Sequence, residues 1–356
     1  MTITGSGFGT KATAAPVIYD DGSGGYTYPT QKGWSGGWPT GQTTWPAGNL
    51  QYRSLPYMGV SAPHSRSSAW MVGWWMPWPQ ADAYSGYNVM SWMTRTISSY
   101  PQYAYASWYY RIGPEYVTSR ADWNLKTFDW SFGGTPYSMS SCFQNNWYLN
   151  YAPTGVALTS GTSSMQHQLN DDTWGYCSPG ALDNPDQNGH GVYWGSDTPP
   201  FNGWHKFEIE MVITDQTSGH IRFWDNGVQR VAYVGSTDAW TMGSRSFALG
   251  GYSRDASGTG TDRQYIGDAY VDWSLQRVVI CPGAIWSTRG VCHPIVPSAW
   301  TDTSVTGTVH LGTLSDTGTA YVYVTDADGV YNTNGYSVAL GGDTTAPAAP
   351  MGLGVQ

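Results

Sequence analysis

The stretch Trp204-His-Lys-Phe-Glu-Ile-Glu-Met-Val-Ile213 alternates apolar and polar side chains along its length. This alternation is the pattern of a β-strand that buries one face in a core. The apolar face carries Phe207, Ile209, Met211 and Ile213, and the other face carries Lys206, Glu208 and Glu210. Residues 220–224 and 228–233 show the same pattern, and Asp225-Asn-Gly227 between them predicts a tight hairpin turn.

The composition around this stretch indicates an all-β chain. Only 12% of the 356 residues are charged, against about 25% in an average domain. The 20 Trp, 26 Tyr and 45 Gly residues favour strands and turns. Further strands are predicted at 1–4, 103–111, 126–132, 146–151, 246–252, 264–273, 276–281, 304–310, 319–325 and 336–340. The expected fold is a jelly-roll β-sandwich, with mostly long polar loops in 134–203 and a helical turn within 81–93.

The charge balance and the cysteines restrict partners and location. With 16 basic and 25 acidic residues the net charge is −9, so no nucleic-acid partner is expected, because such binding needs clustered cations. No apolar run approaches the ~20 residues of a membrane span, and the N-terminus shows no signal peptide. Four cysteines allow three disulfide pairings. Cys281 and Cys292 would close a short loop, Cys142 and Cys177 could form the other pair, and such bonds would imply an oxidising location.

The order of strands and loops predicts four segments. Residues 1–49 hold one strand and an irregular Gly- and Trp-rich segment, and residues 50–285 hold the jelly roll. Residues 293–341 form a small immunoglobulin-like β module, which the N-terminal strand at 1–4 is expected to complete because three strands make a small sheet. Residues 342–356 have the composition of a Pro-rich linker.

Several motifs resemble those of known families. Trp204-His-Lys-Phe-Glu-Ile-Glu210, Leu249-Gly-Gly-Tyr252 and Tyr265-Ile-Gly-Asp-Ala-Tyr-Val-Asp272 resemble the later strands of concanavalin A-like jelly-roll domains, over roughly residues 100–280. That superfamily includes lectins, laminin-G-like modules, glucanases and polysaccharide lyases. Residues 293–341, with Gly5-Ser-Gly-Phe-Gly9, resemble an IPT/TIG immunoglobulin-like module. Because one scaffold supports binding, hydrolysis and lysis, the site residues must decide the function.

Two carboxylates are the first catalytic candidates. Retaining glycosidases need a pair about 5–5.5 Å apart, and the laminarinase-type members of the superfamily place the pair on one strand. Glu208 and Glu210 offer part of that pattern, but the next position on their face is Val212. We therefore expect Glu208 and Glu210 to lie on a solvated or sugar-contacting face, with catalysis as the alternative.

A histidine is the candidate for lysis. β-Elimination needs a proton acceptor and groups that neutralise a uronate carboxylate. His167 lies between two glutamines and is faintly similar to the Gln-x-His of alginate lyases, but it falls in a predicted loop. Basic residues that could bind an anionic sugar are Arg111, Arg120 and Arg222.

No cofactor is expected, with a structural calcium ion as an open alternative. Asp326-Ala-Asp-Gly-Val-Tyr-Asn332 places oxygens at alternate positions, namely Asp326, Asp328 and Asn332, as calcium loops do. The final acidic ligand is missing, and a hairpin in which Asp and Gly serve turn geometry explains the motif better.

Tryptophans crowd two segments, with Trp34 and Trp38 in one and Trp70, Trp74, Trp75 and Trp78 in the other. They could fill the core and hold loops, form a subunit interface, or stack on sugar rings. We expect a non-enzymatic extracellular or virion surface protein, such as a fibre or filament subunit. Its jelly roll would bind glycans or mediate self-association. The alternative is a carbohydrate-active enzyme, either a glycoside hydrolase or a polysaccharide lyase.

Overall fold

A computed structural model of the chain describes residues 1–36, 50–67, 69–74, 76–77, 87–89, 92–97, 101–113, 124–132, 145–153, 165–171, 191–194, 203–212, 214, 217–234, 245–250, 253–254 and 263–341. These residues form strands and two short 3₁₀ turns, Pro29–Lys32 and Trp286–Thr288. No helix among them is long and apolar enough to cross a membrane. The predicted all-β jelly-roll sandwich is confirmed. The described residues within 81–93, namely 87–89 and 92–93, are strand, and the rest of the predicted helical turn lies outside the described residues.

The strands, in chain order, are β1 (Thr2–Thr4), β2 (Ile18–Asp20), β3 (Ser35–Gly36), β4 (Leu50–Arg53), β5 (Trp70–Trp74), β6 (Met76–Pro77), β7 (Tyr87–Val89), β8 (Trp92–Ile97), β9 (Tyr103–Ile112), β10 (Asn124–Phe132), β11 (Asn145–Pro153) and β12 (Met165–Asp171). They continue with β13 (Gly191–Trp194), β14 (His205–Val212), β15 (His220–Asp225), β16 (Val228–Val234), β17 (Arg245–Gly250), β18 (Ser253–Arg254), β19 (Arg263–Asp272), β20 (Arg277–Cys281), β21 (His293–Thr301), β22 (Ser304–Val309), β23 (Gly318–Thr325) and β24 (Tyr336–Leu340).

Two of the three sheets make the sandwich. The front sheet has ten strands, with β13-β12-β11-β10-β17-β8-β3 in order and β18, β7 and β6 beside them. The back sheet has eight strands, with β16-β15-β14-β9-β19-β5-β4 in order and β2 beside β19. The face that each sheet turns toward the other is called its inner face, and the opposite face its outer face.

Alternation along β14 and its neighbours builds the back sheet as predicted. The inner face buries Phe207, Ile209 and Met211, and β9 and β15 pair with β14 on either side. The hairpin turn at Asn226-Gly227 has φ of 51° and 77°, the left-handed region that Asn and Gly tolerate.

The sandwich core lies between the two inner faces. Side chains of the back sheet, among them Trp108, Phe223 and Ile266, pack with Phe247 and Leu249 of the front sheet in one buried cluster. Burial of apolar side chains is the dominant favourable contribution to folding, and aromatic rings bury a large area each.

The third sheet, here called the C-terminal sheet, has the order β1-β22-β21-β20-β23-β24. Strand β1 pairs with β22 through Thr2–Thr306, Ile3–Val305 and Thr4–Ser304. Strand β20 belongs to this sheet as well, although it was expected within the jelly-roll range 50–285. A separate buried cluster that includes Ile3, Phe8 and Val322 holds the sheet together.

Residues 134–203 contain more strand than expected. The described parts of this range are β11, β12 and β13, which pair in sequence at one edge of the front sheet. Strand β12 was predicted as loop because its sequence, Met-Gln-His-Gln-Leu-Asn-Asp, has polar residues at both alternate sets of positions. Pairing on both sides overrides that weak local signal.

Candidate functional site

The register of the front sheet identifies which positions lie on its outer face. Phe247 and Leu249 are buried in the sandwich core and therefore mark the inner face. Trp130 pairs with Phe247 and Phe128 pairs with Leu249. Because directly paired residues of antiparallel strands share a face and neighbours along a strand alternate, the positions between these belong to the outer face.

A β-bulge changes this assignment at the start of β10. Lys126 pairs with Asn150, while Phe128, two residues on, pairs with Leu149. Regular alternation would put Lys126 on the inner face with Phe128. The extra residue at Thr127 shifts the pairing register, so Lys126 pairs with Asn150 on the outer face. β-Bulges change the face of a strand position in this way.

Four outer-face positions form a transverse row, here called the polar row. Lys126 of β10 pairs with Asn150 of β11, Asn150 with Gln168 of β12, and Gln168 with Tyr193 of β13. Adjacent strands lie ~4.8 Å apart, so the row extends over roughly 15 Å. The sheet thus brings one cationic, two amide and one phenol residue type into line.

The neighbouring outer-face rows are polar as well. On one side Asp129 pairs with Tyr148, and Tyr148 with Asn170. On the other side Asn124 pairs with Arg254. The described strands of the front sheet contain two acidic residues, Asp129 and Asp171. Asp129 lies on the outer face, whereas Asp171 pairs with Trp147 and so lies on the inner face.

The structure separates His167 from the polar row. His167 lies on β12 and pairs with Tyr151 on one side and Trp194 on the other. Its position alternates with those of Gln166 and Gln168 and so falls on the inner face. The predicted candidate for lysis thus occupies an inner-face position, and its neighbour Gln168 occupies an outer-face position.

Glu208 and Glu210 lie on the outer face of the back sheet, beneath the C-terminal sheet, and are 1% and 0% exposed. Glu208 accepts hydrogen bonds from Tyr105 Oη and Arg289 Nη2, both at 2.9 Å. The expected solvated or sugar-contacting face is thus corrected to a buried contact between sheets, because cations of the C-terminal sheet cover it.

Glu210 is surrounded by two arginines and a histidine. Arg277 Nη2 lies 2.6 Å from Oε2, and Arg222 Nη1 and His220 Nε2 lie 2.7 and 3.0 Å from Oε1. Burial raises the pKa of Glu210, but Arg277, His220 and Arg222 outweigh that effect and lower the pKa to about 2. Arg222, considered above as a sugar ligand, is engaged here. Arg111 lies on β9, and Arg120 lies outside the described residues.

A second buried cluster escaped the sequence analysis. His64 Nε2 lies 2.6 Å from Asp268 Oδ2, and Lys206 Nζ donates a hydrogen bond to the Asp268 carbonyl oxygen at 3.4 Å. Burial lowers the pKa of Lys206 to about 8, against the opposing effect of Asp268 and Glu208. His64 and Asp268 are 204 residues apart in the chain, and no local pattern connects them. Lys206 is 0% exposed, so this cluster joins elements rather than facing a substrate.

Two of the candidate tryptophans are interior. Trp70 and Trp34 are 1% and 2% exposed, and Trp34 Nε1 donates a hydrogen bond to Asp20 Oδ2 at 2.8 Å. Neither offers a face for sugar stacking or subunit contact, and both fill the interior instead. Trp74 is a position of β5, and Trp38, Trp75 and Trp78 lie outside the described residues.

The Asp326 loop has the geometry of a turn. Asp326 Oδ1 accepts hydrogen bonds from the backbone N–H groups of Asp328 and Val330, at 2.9 and 2.8 Å. Asn332 Oδ1 accepts one from Val324 N–H at 2.8 Å. In the part of the chain that the structure describes, no three His, Cys, Asp or Glu side chains are grouped to hold a metal ion.

One disulfide joins described cysteines, between Cys281 and Cys292. It closes the loop that connects β20 to β21. Cys142 and Cys177 lie outside the described residues.

Solved structures similar to this chain include carbohydrate-active enzymes. An endo-β-1,4-glucuronan lyase from the fungus Trichoderma reesei is 10% identical, covers 72% of this chain and 95% of its own, and has a TM-score of 0.45. Alginate lyase Aly36B is 11% identical over 76% and 96% of the two chains, with a TM-score of 0.44. A β-glucanase from Bacillus licheniformis is 11% identical over 73% and 98%, with a TM-score of 0.38. No protein-family model and no curated protein matches the chain.

These neighbours have concanavalin A-like jelly-roll folds, in keeping with the resemblance of residues 100–280. The neighbours named here are lyases and a glucanase, which runs against the expectation of a non-enzymatic surface or virion protein, and the alternative of a carbohydrate-active enzyme becomes the proposal. At such low identity no residue role is carried over from them. The IPT/TIG-like nature of residues 293–341 and self-association stay predictions.

Proposed function

We propose that the chain is a polysaccharide lyase that cleaves a uronate-containing polysaccharide by β-elimination on the outer face of the front sheet. The observation that carries the proposal is the polar row, in which Lys126, Asn150, Gln168 and Tyr193 lie in register on four adjacent strands. These residue types match the chemical needs of that reaction.

β-Elimination removes the proton at C5 of the uronate, breaks the bond between C4 and the bridging oxygen, and leaves a double bond between C4 and C5. The bridging oxygen leaves with a proton. Charge that builds on the carboxylate during proton removal must be stabilised by donors placed beforehand. In our assignment Asn150 and Gln168 donate to the carboxylate, and Lys126 supplies positive charge beside it.

Proton transfer is assigned to the phenols. Tyr193 ends the polar row, and Tyr148 lies in the adjacent row, two residues from Asn150 along β11. A phenolate can remove the C5 proton, and a phenol can donate to the leaving oxygen. A cation near a phenol favours its phenolate form, and Lys126 is one strand away from Tyr148, whereas Tyr193 stands at the opposite end of the row.

The charge of the outer face favours an anionic substrate and elimination over hydrolysis. Its positions in the described strands include two cations, Lys126 and Arg254, and one acid, Asp129. Hydrolysis by the two-carboxylate route needs a second acid within about 5–10 Å. In the described strands of the front sheet that second acid is not present on this face.

The test is to incubate the purified chain with a panel of polyuronates and neutral glucans. A lyase produces an ultraviolet absorbance from the double bond conjugated to the carboxylate, together with new reducing ends. Reducing ends without that absorbance would indicate a hydrolase and refute the elimination step. No product from any member of the panel would count against the whole proposal.

Variants then test the row. We expect Gln168→Ala and Tyr193→Phe to lower kcat/KM at least ~100-fold, since each removes a group that acts in the transition state. The matched controls repeat the same two substitutions outside the front sheet, as Gln229→Ala on β16 and Tyr26→Phe. Both Gln229 and Tyr26 are exposed residues. Both controls should keep the activity, and equal losses in controls and row variants would show that the effect is on folding.

A further inference from the structure

The loop between β20 and β21 carries one side chain that contacts both a disulfide and the back sheet. Cys281 and Cys292 are 0% and 1% exposed, and Arg289 between them is 1% exposed. Arg289 Nε donates a hydrogen bond to Cys292 Sγ at 3.1 Å. Arg289 Nη2 donates to Glu208 Oε1 on β14 at 2.9 Å. The guanidinium group therefore bridges the disulfide and the carboxylate.

The surroundings hold this guanidinium group in one place. It lies 3.8 Å from the ring centre of Trp286 and 5.0 Å from that of Trp224. Trp286 belongs to the disulfide loop, and Trp224 belongs to β15 of the back sheet. Removing Arg289 from this site would leave the buried charge of Glu208 without its cation, which is strongly unfavourable.

The backbone of the loop also fits the back sheet closely. A Cβ atom on Gly227, in the β15–β16 turn, would lie 2.0 Å from the carbonyl oxygen of Gly290. Two backbone segments thus meet without room for a side chain. This contact needs the loop to keep the shape that the disulfide fixes, because a closed loop samples far fewer conformations.

We infer that the Cys281–Cys292 disulfide is a redox-sensitive latch that controls docking of the C-terminal sheet on the back sheet. In the docked state the sulfur atoms are buried and a reductant has no access to them. Once the sheets separate, a dithiol can reach the bond. Coupling of this kind is reciprocal, so the disulfide stabilises docking by as much as docking stabilises the disulfide.

The covalent step is an ordinary thiol–disulfide exchange. A small dithiol supplies two electrons, the S–S bond breaks, and each sulfur takes up one proton. The dithiol is oxidised to its own disulfide. The freed loop then no longer holds Arg289 between Trp286 and Trp224, and Glu208 loses its cation.

The first experiment measures how fast dithiothreitol reduces this disulfide in the native full-length chain. Alkylation and peptide mass spectrometry follow Cys281 and Cys292 separately from Cys142 and Cys177. Glu208→Gln removes the carboxylate that Arg289 holds. We expect reduction at least ~100-fold faster in this variant, because breaking a buried ion pair strongly raises the population of the open state.

The matched control is Asp316→Asn, which removes an exposed carboxylate paired with Arg66. Its reduction rate should stay within ~3-fold of the wild type. Equal reduction rates for the wild type and Glu208→Gln would refute the proposal that the disulfide and docking of the C-terminal sheet are coupled. If Glu208→Gln does not fold, Arg289→Lys serves instead, since it keeps the charge but loses the paired donors. The disulfide of Arg289→Lys should be reduced faster than that of the wild type, and an unchanged reduction rate would also refute the proposal.

The second experiment measures amide hydrogen exchange before and after reduction. Reduction should raise exchange in β14 and β15, on the back sheet, as well as in β20 and β21. A rise confined to the disulfide loop would show that the bond stabilises only its own loop, and would refute control of docking.

Discussion

Replacing Glu210 by Gln tests whether the buried carboxylate holds the C-terminal sheet in place. Glu210 is 0% exposed, and Arg277, its partner at 2.6 Å, is 1% exposed. The variant leaves the Arg277 guanidinium buried without a counter-charge. Loss of one partner of a buried pair costs about 3–5 kcal/mol, and we expect that loss of unfolding free energy near neutral pH.

The pKa of Glu210 gives an independent magnitude. The pKa falls from an ordinary 4.5 to about 2 on folding, and each pH unit of difference corresponds to about 1.4 kcal/mol. The folded carboxylate therefore contributes about 3–4 kcal/mol. Because the folded pKa is lowered, this contribution is complete above pH 4.5 and is lost as the pH falls toward 2.

The assay is urea denaturation of the wild type and Glu210→Gln over a pH series. The difference in unfolding free energy should be constant from about pH 7 to about pH 5 and should shrink by about 2 kcal/mol by about pH 3. The exposed-pair variant Asp316→Asn controls for a general effect of removing one negative charge. A difference that does not change with pH, or wild-type stability in Glu210→Gln at neutral pH, would refute the reasoning.

Three further predictions concern other sites. Burial lowers the pKa of Lys206 to about 8, so the wild type should gain about 2–3 kcal/mol of unfolding free energy from about pH 8 to about pH 10; denaturation of Lys206→Met should lack that rise. Gly312→Ala would put a Cβ 2.0 Å from the His293 ring at a φ of +50°, and calorimetry should show a loss of about 2–4 kcal/mol of unfolding free energy. The control Gly7→Ala has a φ of +77° but open space around the Cβ, and its loss should be about 1 kcal/mol. Asp129→Asn should keep kcat/KM within ~10-fold if the reaction is elimination, whereas a nearly complete loss in the product assay would favour a carboxylate mechanism.

Local sequence patterns predicted the strands of the sandwich well. The alternation of 204–213, the Asn-Gly turn and the runs at 103–111 and 126–132 all correspond to observed strands or turns. In each case one face of the strand is buried, so the residue pattern carries the information. Strand β12 lacked that signal, because the polar residues Gln166, Gln168 and Asn170 stand among its apolar ones, and β13 is only four residues long.

The polar row was beyond the reach of sequence patterns for two physical reasons. Lys126, Asn150, Gln168 and Tyr193 come together only through pairing between strands, which no local period encodes. The bulge at Thr127 reverses the face of Lys126 relative to the regular alternation of Phe128, Trp130 and Phe132.

The two outer faces show why residue type alone drew attention to Glu208 and Glu210, which the structure buries. Lys206, Glu208 and Glu210 are the denser set of charges in sequence, and their strand is the most regular in the chain. Charges gathered on one strand face must be solvated, bound to a ligand or paired, because an unpaired buried charge is too costly. The pairing comes from Arg277 of β20 and from Arg289 in the loop between β20 and β21. The proposed function therefore uses the front sheet, whose outer-face row consists of amide, phenol and cationic residue types.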